Sequence, residues 1–401
     1  MLHISGTGCS LVDYLYANMN FDDPAFKRYL SQKDGDGGLS PGKLVFAEDF
    51  ETFARKPFTD VLSELTQGKK PDKVNLGGPC IVALVNTAQL LSGMNAEISF
   101  HGVLGNDPSG DTLLSFLAPT PVDTKHYRRI PGVTPSTVVL SDPTYDSGHG
   151  ERIFVNTIGA AWKFKESDLD ASFFDSDILL FGGTGLVPLI HDNLTSLVMK
   201  AKKRGKVTVV TTVYDFRNQK KDPVGPWPLG KDTLETLAHT DLLISDYEEA
   251  LRISGTSSIE KAFEFYKKSG LGALIVTHGA QEIFIYSKGS LFYPLDFTTL
   301  PVVHKVDEEL KAHPELKGDT TGCGDNFAGG VLYSIADQLL RNKSEKLDLV
   351  TSSAWGACSG GFACFYIGGT YHETERGEKL KRMLPYFESY KKQIAPRFTI
   401  R

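Results

Sequence analysis

Asp319-Thr320-Thr321-Gly322-Cys323-Gly324-Asp325 is the stretch on which the reading of this chain turns. A glycine, one small residue and a second glycine allow a tight turn whose successive backbone N–H groups point the same way, into a hollow of anion size. Beyond it Phe327, Val331, Ile335 and Leu339 recur at four-residue steps, which predicts a helix from Asn326 with one buried stripe. The turn then lies at a helix N-terminus, where unpaired N–H donors and the positive pole of the macrodipole suit phosphate. The same field is expected to hold the Asp325 carboxylate ionised near neutral pH. A carboxylate beside a phosphate cradle is a poor choice for binding alone, since like charges repel. It suits a base that takes a hydroxyl proton while the cradle stabilises a phosphoryl group in transfer. Gly-x-Gly also fits a dinucleotide turn or a plain turn between strand and helix, so the rest of the chain must decide.

The 401 residues allow two or three domain-sized units, or one large α/β domain with additions. A hydrophobic content of 41% with 23% charged residues is ordinary for a soluble globular chain. A net charge of −6 leaves no basic footprint for nucleic acid or an anionic membrane. Cys9, Cys80, Cys323, Cys358 and Cys364 are odd in number and include no CxxC pair, a pattern that points to reduced thiols in a cytoplasm. No apolar run reaches transmembrane length and the N-terminus lacks a basic region followed by a long apolar one, so a soluble cytoplasmic protein is expected.

From Asp175 onward strands and helices alternate: Ile178 to Phe181, Leu194 to Ala201, Val207 to Val213. That alternation predicts a doubly wound, mostly parallel sheet flanked by helices, with ligands at the carboxyl ends of its strands. Two chemical alternatives fail. No G-x-x-x-x-G-K-[ST] occurs, which excludes a P-loop, and the strongest Gly-x-Gly falls in the last quarter rather than on an early strand, where a dinucleotide fingerprint belongs.

The signature resembles the D-T-x-G-A-G-D of the ribokinase-like carbohydrate kinases, the PfkB family, with Cys323 where alanine is usual. The resemblance implies a ribokinase-like α/β fold with a small β-sheet lid. It divides one domain, 1–401, into a lid of about 14–76 and 124–158 and a core of about 1–13, 77–123 and 159–401. It implies that Asp325 is the catalytic base and that the amides of Gly322, Cys323 and Gly324 form the anion hole. Asp13 matches the aspartate that holds two sugar hydroxyls, and a carboxylate can accept both bonds of a vicinal diol. Gly77-Gly78 and the later Asn86-Thr87-Ala88 match the family's substrate-side glycines and Asn-x-Ala, so Gly77, Gly78 and Asn86 are expected on the substrate. Gly105 to Gly110 matches a motif that reads equally as a capped turn, and is architecture rather than chemistry.

On the nucleotide side, Thr277 and Gly279 match the family's T-x-G, Thr320 belongs to the signature, and Arg217 stands in a reordered D-x-N-x-R where it could screen phosphate charge. Asp246 and Glu249 match N-x-x-E, with Asp246 replacing Asn, and imply a magnesium ion held through water. Glu249 also reads as plain helix-start chemistry, with Ser245 and Glu248 as a capping box. The resemblance implies ATP and Mg2+, admits a monovalent cation such as K+, and makes the partner a sugar or nucleoside. It also admits a homodimer through the lid. The long 14–76 segment is expected as an enlarged lid or an oligomer contact, and 307–318 as a solvated, charged excursion.

The expected activity is transfer of the γ-phosphoryl group of ATP to a primary hydroxyl of a sugar or nucleoside. The departures at Ala161, Asp246 and Glu282 keep open a second expectation, a catalytically silent relative that binds a sugar or nucleotide as a sensor or assembly subunit.

Overall fold

The computed structural model describes residues 1–33, 35–148, 150–318, 320–341 and 345–398. Asp319 of the signature, together with Asp34 and His149, lies outside the described residues. In chain order the strands are β1 (Leu2–Gly8), β2 (Leu11–Tyr16), β3 (Leu44–Phe46), β4 (Lys73–Gly77), β5 (Ala96–Gly105), β6 (Val122–Asp123), β7 (Tyr127–Ile130), β8 (Ser136–Asp142), β9 (Glu151–Thr157), β10 (Ile178–Gly182), β11 (Val207–Thr211), β12 (Leu242–Asp246), β13 (Ala273–Thr277), β14 (Glu282–Ser287) and β15 (Leu295–Pro301).

The large sheet runs β15-β14-β13-β12-β11-β10-β1-β5-β6, with β7 also paired to β5. It is parallel from β13 across to β5, and only β14 and β15 turn back antiparallel at one edge. β10 shows why the centre is parallel: Ile-Leu-Leu-Phe-Gly is buried at every position, as a strand covered by helices on both faces must be. One apolar cluster packs the helices Pro79–Leu90, Cys323–Arg341 and Leu349–Phe362 on one face, and a second packs Leu194–Lys203, Tyr247–Ser254 and Ile259–Lys268 on the other.

Helix Cys323–Arg341 corrects the expected single stripe. Every residue from Asn326 to Asp337 is buried, because the helix runs between Pro79–Leu90 and Leu349–Phe362 and is covered on both sides. Small residues allow the approach: a Cβ on Gly329 would stand 2.5 Å from the Ala83 carbonyl oxygen, and one on Gly330 the same distance from that of Trp355. The 307–318 stretch is as solvated as its charge suggests, with no residue buried. Its first half lies in helix His304–Ala312, which is docked through Val306 and a Glu309 carboxylate that accepts from the Tyr386 hydroxyl at 2.7 Å.

The second sheet, β3-β9-β8-β2-β4, is the lid. It takes in β2, so Asp13 belongs to the lid and not to the end of the first core strand, and its second pass begins at β8, since β7 joins the core sheet. The 14–76 segment supplies two helices, Ala47–Ala54 and Phe58–Thr66, broken apart at Arg55 in the left-handed region. Phe50, Phe58 and Val61 from these helices bury Val138, Leu140, Ile153 and Val155 on one lid face. The chain thus covers one lid face with its own helices. Phe50→Ala, removing a ring at 0% exposure, is expected to cost about 3–5 kcal/mol in urea unfolding. A cost below about 1 kcal/mol would show that these helices do not cover the lid tightly.

Candidate active site

The signature turn, the lid and the carboxyl ends of β1 and β12 meet around one site, the cleft: Arg152 of β9 bonds Thr321 at 2.8 Å, the charges of Asp325 and Asp13 add to burial in raising the thiol of Cys9 just past β1, and the charge of Asp325 also reaches Glu249.

Gly322 carries φ 74°, and a Cβ there would meet Gly369 Cα at 2.5 Å, so the turn needs glycine on two counts. The helix begins at Cys323, three residues earlier than periodicity suggests. The Cys323 N–H closes the turn on the Thr320 carbonyl in a long 3.3 Å bond, and the space above Gly324 is open. The first-turn amides have no partner within the helix. Asp325 stands among them, half-buried, and burial pushes its carboxyl up to about 7, against the ionised state expected from the helix pole alone.

Asn326 fixes this turn from below. At 0% exposure its side-chain amide donates to the carbonyls of Gly322 at 2.9 Å and Gly369 at 2.7 Å, while its oxygen accepts from Lys379 Nζ at 2.8 Å and the Tyr366 hydroxyl at 3.0 Å. Lys379 is itself fully buried, and burial pushes its ammonium down to about 7. Asn86 belongs to this support rather than to the substrate, a second correction. It is 1% exposed and donates to the Asn326 carbonyl at 2.8 Å and Ser359 Oγ at 3.2 Å, tying three helices together.

On the lid, Asp13 in β2 stands opposite Asn75 in β4 and Thr137 in β8, and Thr137 stands opposite Asn156 in β9. These four residues form a polar row across one face, with Asn156 donating to Thr137 Oγ1 at 3.0 Å. A Cβ on Gly77 would fall 2.0 Å from Asp13 Oδ2, so glycine there is what leaves room for the carboxylate. Gly78, at φ 104°, starts helix Pro79–Leu90 against the Cys9 carbonyl, where a Cβ would come within 2.8 Å. Arg152, two positions from Phe154 and four from Asn156, lies on the same lid face and reaches the signature: its guanidinium donates to Thr321 Oγ1 at 2.8 Å and Thr320 Oγ1 at 3.4 Å.

Across the cleft, Asp246 ends β12 beside Thr277, which ends β13. Asp246, not Ser245, caps the next helix: its carboxylate accepts from the Glu249 amide at 2.8 Å, and the Glu249 carboxylate accepts back from the Asp246 amide at 3.5 Å. Glu249 is 7% exposed, accepts from the Thr212 hydroxyl, and is paired to no lysine or arginine among the described residues. Burial, and then the charge of Asp246, push its carboxyl up to about 8, with a further contribution from Asp325. Two acids short of positive charge are a donor set that fits a hydrated divalent cation. Gly279 follows Thr277 in the left-handed region with open space around it, and His278 between them stacks on Tyr247 at 4.1 Å. Arg217 is drawn elsewhere, since its guanidinium forms a two-pronged pair with Asp192, with one arm at 3.0 Å. Ala161, where the resemblance expects a substrate-facing amide, is 2% exposed in the apolar core.

Residues 73–375 match the family model described as pfkB family carbohydrate kinase. The chain belongs to this family. Among curated relatives, fructokinase-2 of Zea mays is 26% identical over 287 residues, covering 69% of this chain and 77% of that one. Among solved structures, the Schistosoma mansoni adenosine kinase in complex with 2-fluoroadenosine superposes with a TM-score of 0.67 at 15% identity, over 92% of this chain and 97% of that one. An E. coli protein described as a ribokinase II, solved with ATP and Mg2+, gives 0.62 at 17% identity over 96% and 99%. This pfkB-family kinase therefore has the ribokinase-like fold and is an ATP-dependent kinase of the sugar and nucleoside class. No helix among its described residues is long and apolar enough to cross a membrane.

Two contributors to the kinase's cleft were not singled out from sequence. Arg152 sits in an alternating strand, where periodicity gives a face but not what the face meets. Lys379 lies in a run of charges, Glu378 to Arg382, that reads as a solvated helix start.

Proposed function

We propose that this kinase transfers the γ-phosphoryl group of ATP to a primary hydroxyl of a sugar or nucleoside, with Asp325 as the general base. One observation carries the reading: a carboxyl in the first turn of helix Cys323–Arg341, beside the open space over Gly324, is pushed by burial up to about 7, where a base can hold and release a proton near neutral pH. Asp13, with the room that Gly77 leaves, accepts hydrogen bonds from a pair of substrate hydroxyls, and the Gly78 backbone closes that end of the cleft. Asp325 takes the proton of the attacking hydroxyl as its oxygen adds in line to phosphorus. The amides of Gly322, Cys323 and Gly324 stabilise charge on the equatorial oxygens, the long Cys323 bond to Thr320 giving way to the phosphoryl group.

Glu249 and Asp246 would hold Mg2+, which would supply charge neutralisation for the ATP phosphates, and Thr277, Gly279 and Thr320 line the nucleotide side. Arg217 is left out of phosphate binding because Asp192 already takes its charge. Arg152 takes that duty, since it reaches the signature from the lid and can deliver positive charge as the lid meets the turn. Arg152→Ala is expected to lower kcat/KM about 10-fold with little change in melting temperature, as loss of one exposed charged contact predicts. Unchanged kinetics would remove it from the site.

The test of the function is ADP release from ATP and Mg2+ with a panel of sugars and nucleosides. Substrate-dependent ADP with an equal yield of phosphorylated product supports the proposal, and binding without turnover supports a silent sensor or subunit. Exchanging potassium chloride for tetramethylammonium chloride in the same assay tests the monovalent cation, which is expected to raise kcat.

A further inference from the structure

Cys323 stands in the signature turn, and its Sγ lies 3.6 Å from that of Cys364, in the short turn Ala363–Phe365 that follows helix Leu349–Phe362. The other three cysteines are sealed: Cys9, Cys80 and Cys358 are at most 2% exposed, and burial pushes their thiols well up. Cys323 and Cys364 alone among the five are partly exposed. Cys323 is also the first residue of a 19-residue helix, at the pole that favours negative charge, while the Cys364 carbonyl already accepts from the Gly318 amide at 2.8 Å. The two thiols are therefore side by side and accessible, and a backbone hydrogen bond ties the chain five residues before Cys323 to Cys364.

We propose that Cys323 and Cys364 form a reversible disulfide that switches phosphoryl transfer off. A small-molecule disulfide such as oxidised glutathione is the oxidant. The Cys323 thiolate attacks one of its sulfurs, the S–S bond breaks, and one glutathione leaves as thiolate. The Cys364 thiolate then attacks the Cys323 sulfur of the mixed disulfide and expels the second glutathione. The protein loses two hydrogens and two electrons, and oxidised glutathione becomes two reduced molecules. A disulfide brings the sulfurs to about 2.05 Å, so they must close by roughly 1.5 Å from their present separation. Cys323 is followed directly by Gly324 and Asp325, so the movement is imposed on the turn that carries the proposed anion hole and base. Misplacement of reacting groups by about 1 Å can cost about 100-fold in rate, which sets the expected loss.

Formation of the bond stands apart from the kinase mechanism, whereas its effect rests on the proposed role of the turn. The test treats reduced full-length protein with oxidised glutathione, maps peptides without reduction, and assays activity before and after dithiothreitol. Expected are a peptide linked through Cys323 and Cys364, a loss of kcat of about 100-fold, and recovery on reduction. Cys364→Ser is expected to keep the reduced wild-type kcat and to give no linked peptide. Glutathione retained on Cys323 in the wild type without a linked peptide would overturn the proposal, as would a linked peptide with unchanged kcat. If no preparation turned over any substrate, the kinase mechanism would have failed, while peptide mapping would still decide whether the bond forms.

Discussion

Asp325→Asn is expected to lower kcat by about 10²–10⁴, the range for losing a positioned general base, which corresponds to about 3–5 kcal/mol of barrier. The amide keeps the shape of the carboxyl, so the turn, with Gly322 at φ 74° and Asn326 bonded beneath it, should persist and ATP should still bind. Stability should move in the opposite direction to activity. The carboxyl titrates at about 7 in the fold but near 3.9 when unfolded, so between those values the unfolded chain has shed a proton that the folded chain still holds. The stability this group contributes is complete below about pH 4 and is lost as pH rises through about 7. Asparagine carries no such penalty. The variant should therefore melt at or above the wild-type temperature at pH 8 and match it near pH 4, while being nearly inactive at both. A variant that melted lower at pH 8 would show that the carboxylate is stabilised by its surroundings, against the burial argument.

The second large effect is expected on the substrate side. Asp13→Ala removes the carboxylate proposed to accept two hydroxyls, each charged hydrogen bond being worth about 1.5–3 kcal/mol, so kcat/KM for the sugar or nucleoside should fall by at least about 10². The affinity for ATP should not change, because Asp13 stands on β2 of the lid, away from Thr277 and Glu249. Gly77→Ala is the sharper version. Its added Cβ would sit 2.0 Å from Asp13 Oδ2, so it should displace the carboxylate without removing it and reproduce much of the loss. If Asp13→Ala left the substrate KM unchanged, the diol would have to be held elsewhere, with the Thr137 and Asn156 end of the polar row as the next place to look.

What could be read from the chain and what could not divide along a physical line. The signature turn was legible because it is local: seven consecutive residues specify a tight turn and a helix start without reference to anything distant. The parallel core was legible for the same reason, since runs such as Ile178 to Phe181 state their own burial. The upward push on the Asp325 carboxyl was not, because the helix pole is visible in sequence while burial depends on the surrounding fold. Asn86 was expected on the substrate from its match to the family's Asn-x-Ala, whereas here it is consumed by Asn326 and Ser359 from two other helices. Arg217 failed in the same way, through a partner at Asp192 that spacing could not reveal. Arg152 and Lys379 act across 168 and 53 residues of sequence, on Thr320 and Asn326 respectively, and no local pattern encodes such contacts. The place of Asp13 in the second sheet is likewise not local, since it follows from the pairing of β2 with β4 and β8.

The claim that Asp325 is the base of a phosphoryl transfer is tested most directly by the pH dependence of kcat/KM for the best substrate, which reports ionisations in the free enzyme. In the wild type the value should rise about tenfold per pH unit below an inflection near 7 and level off above it. In Asp325→Asn the residual activity should show no such inflection. An identical inflection in both proteins, or a wild-type profile flat from pH 5 to 8, would contradict the assignment.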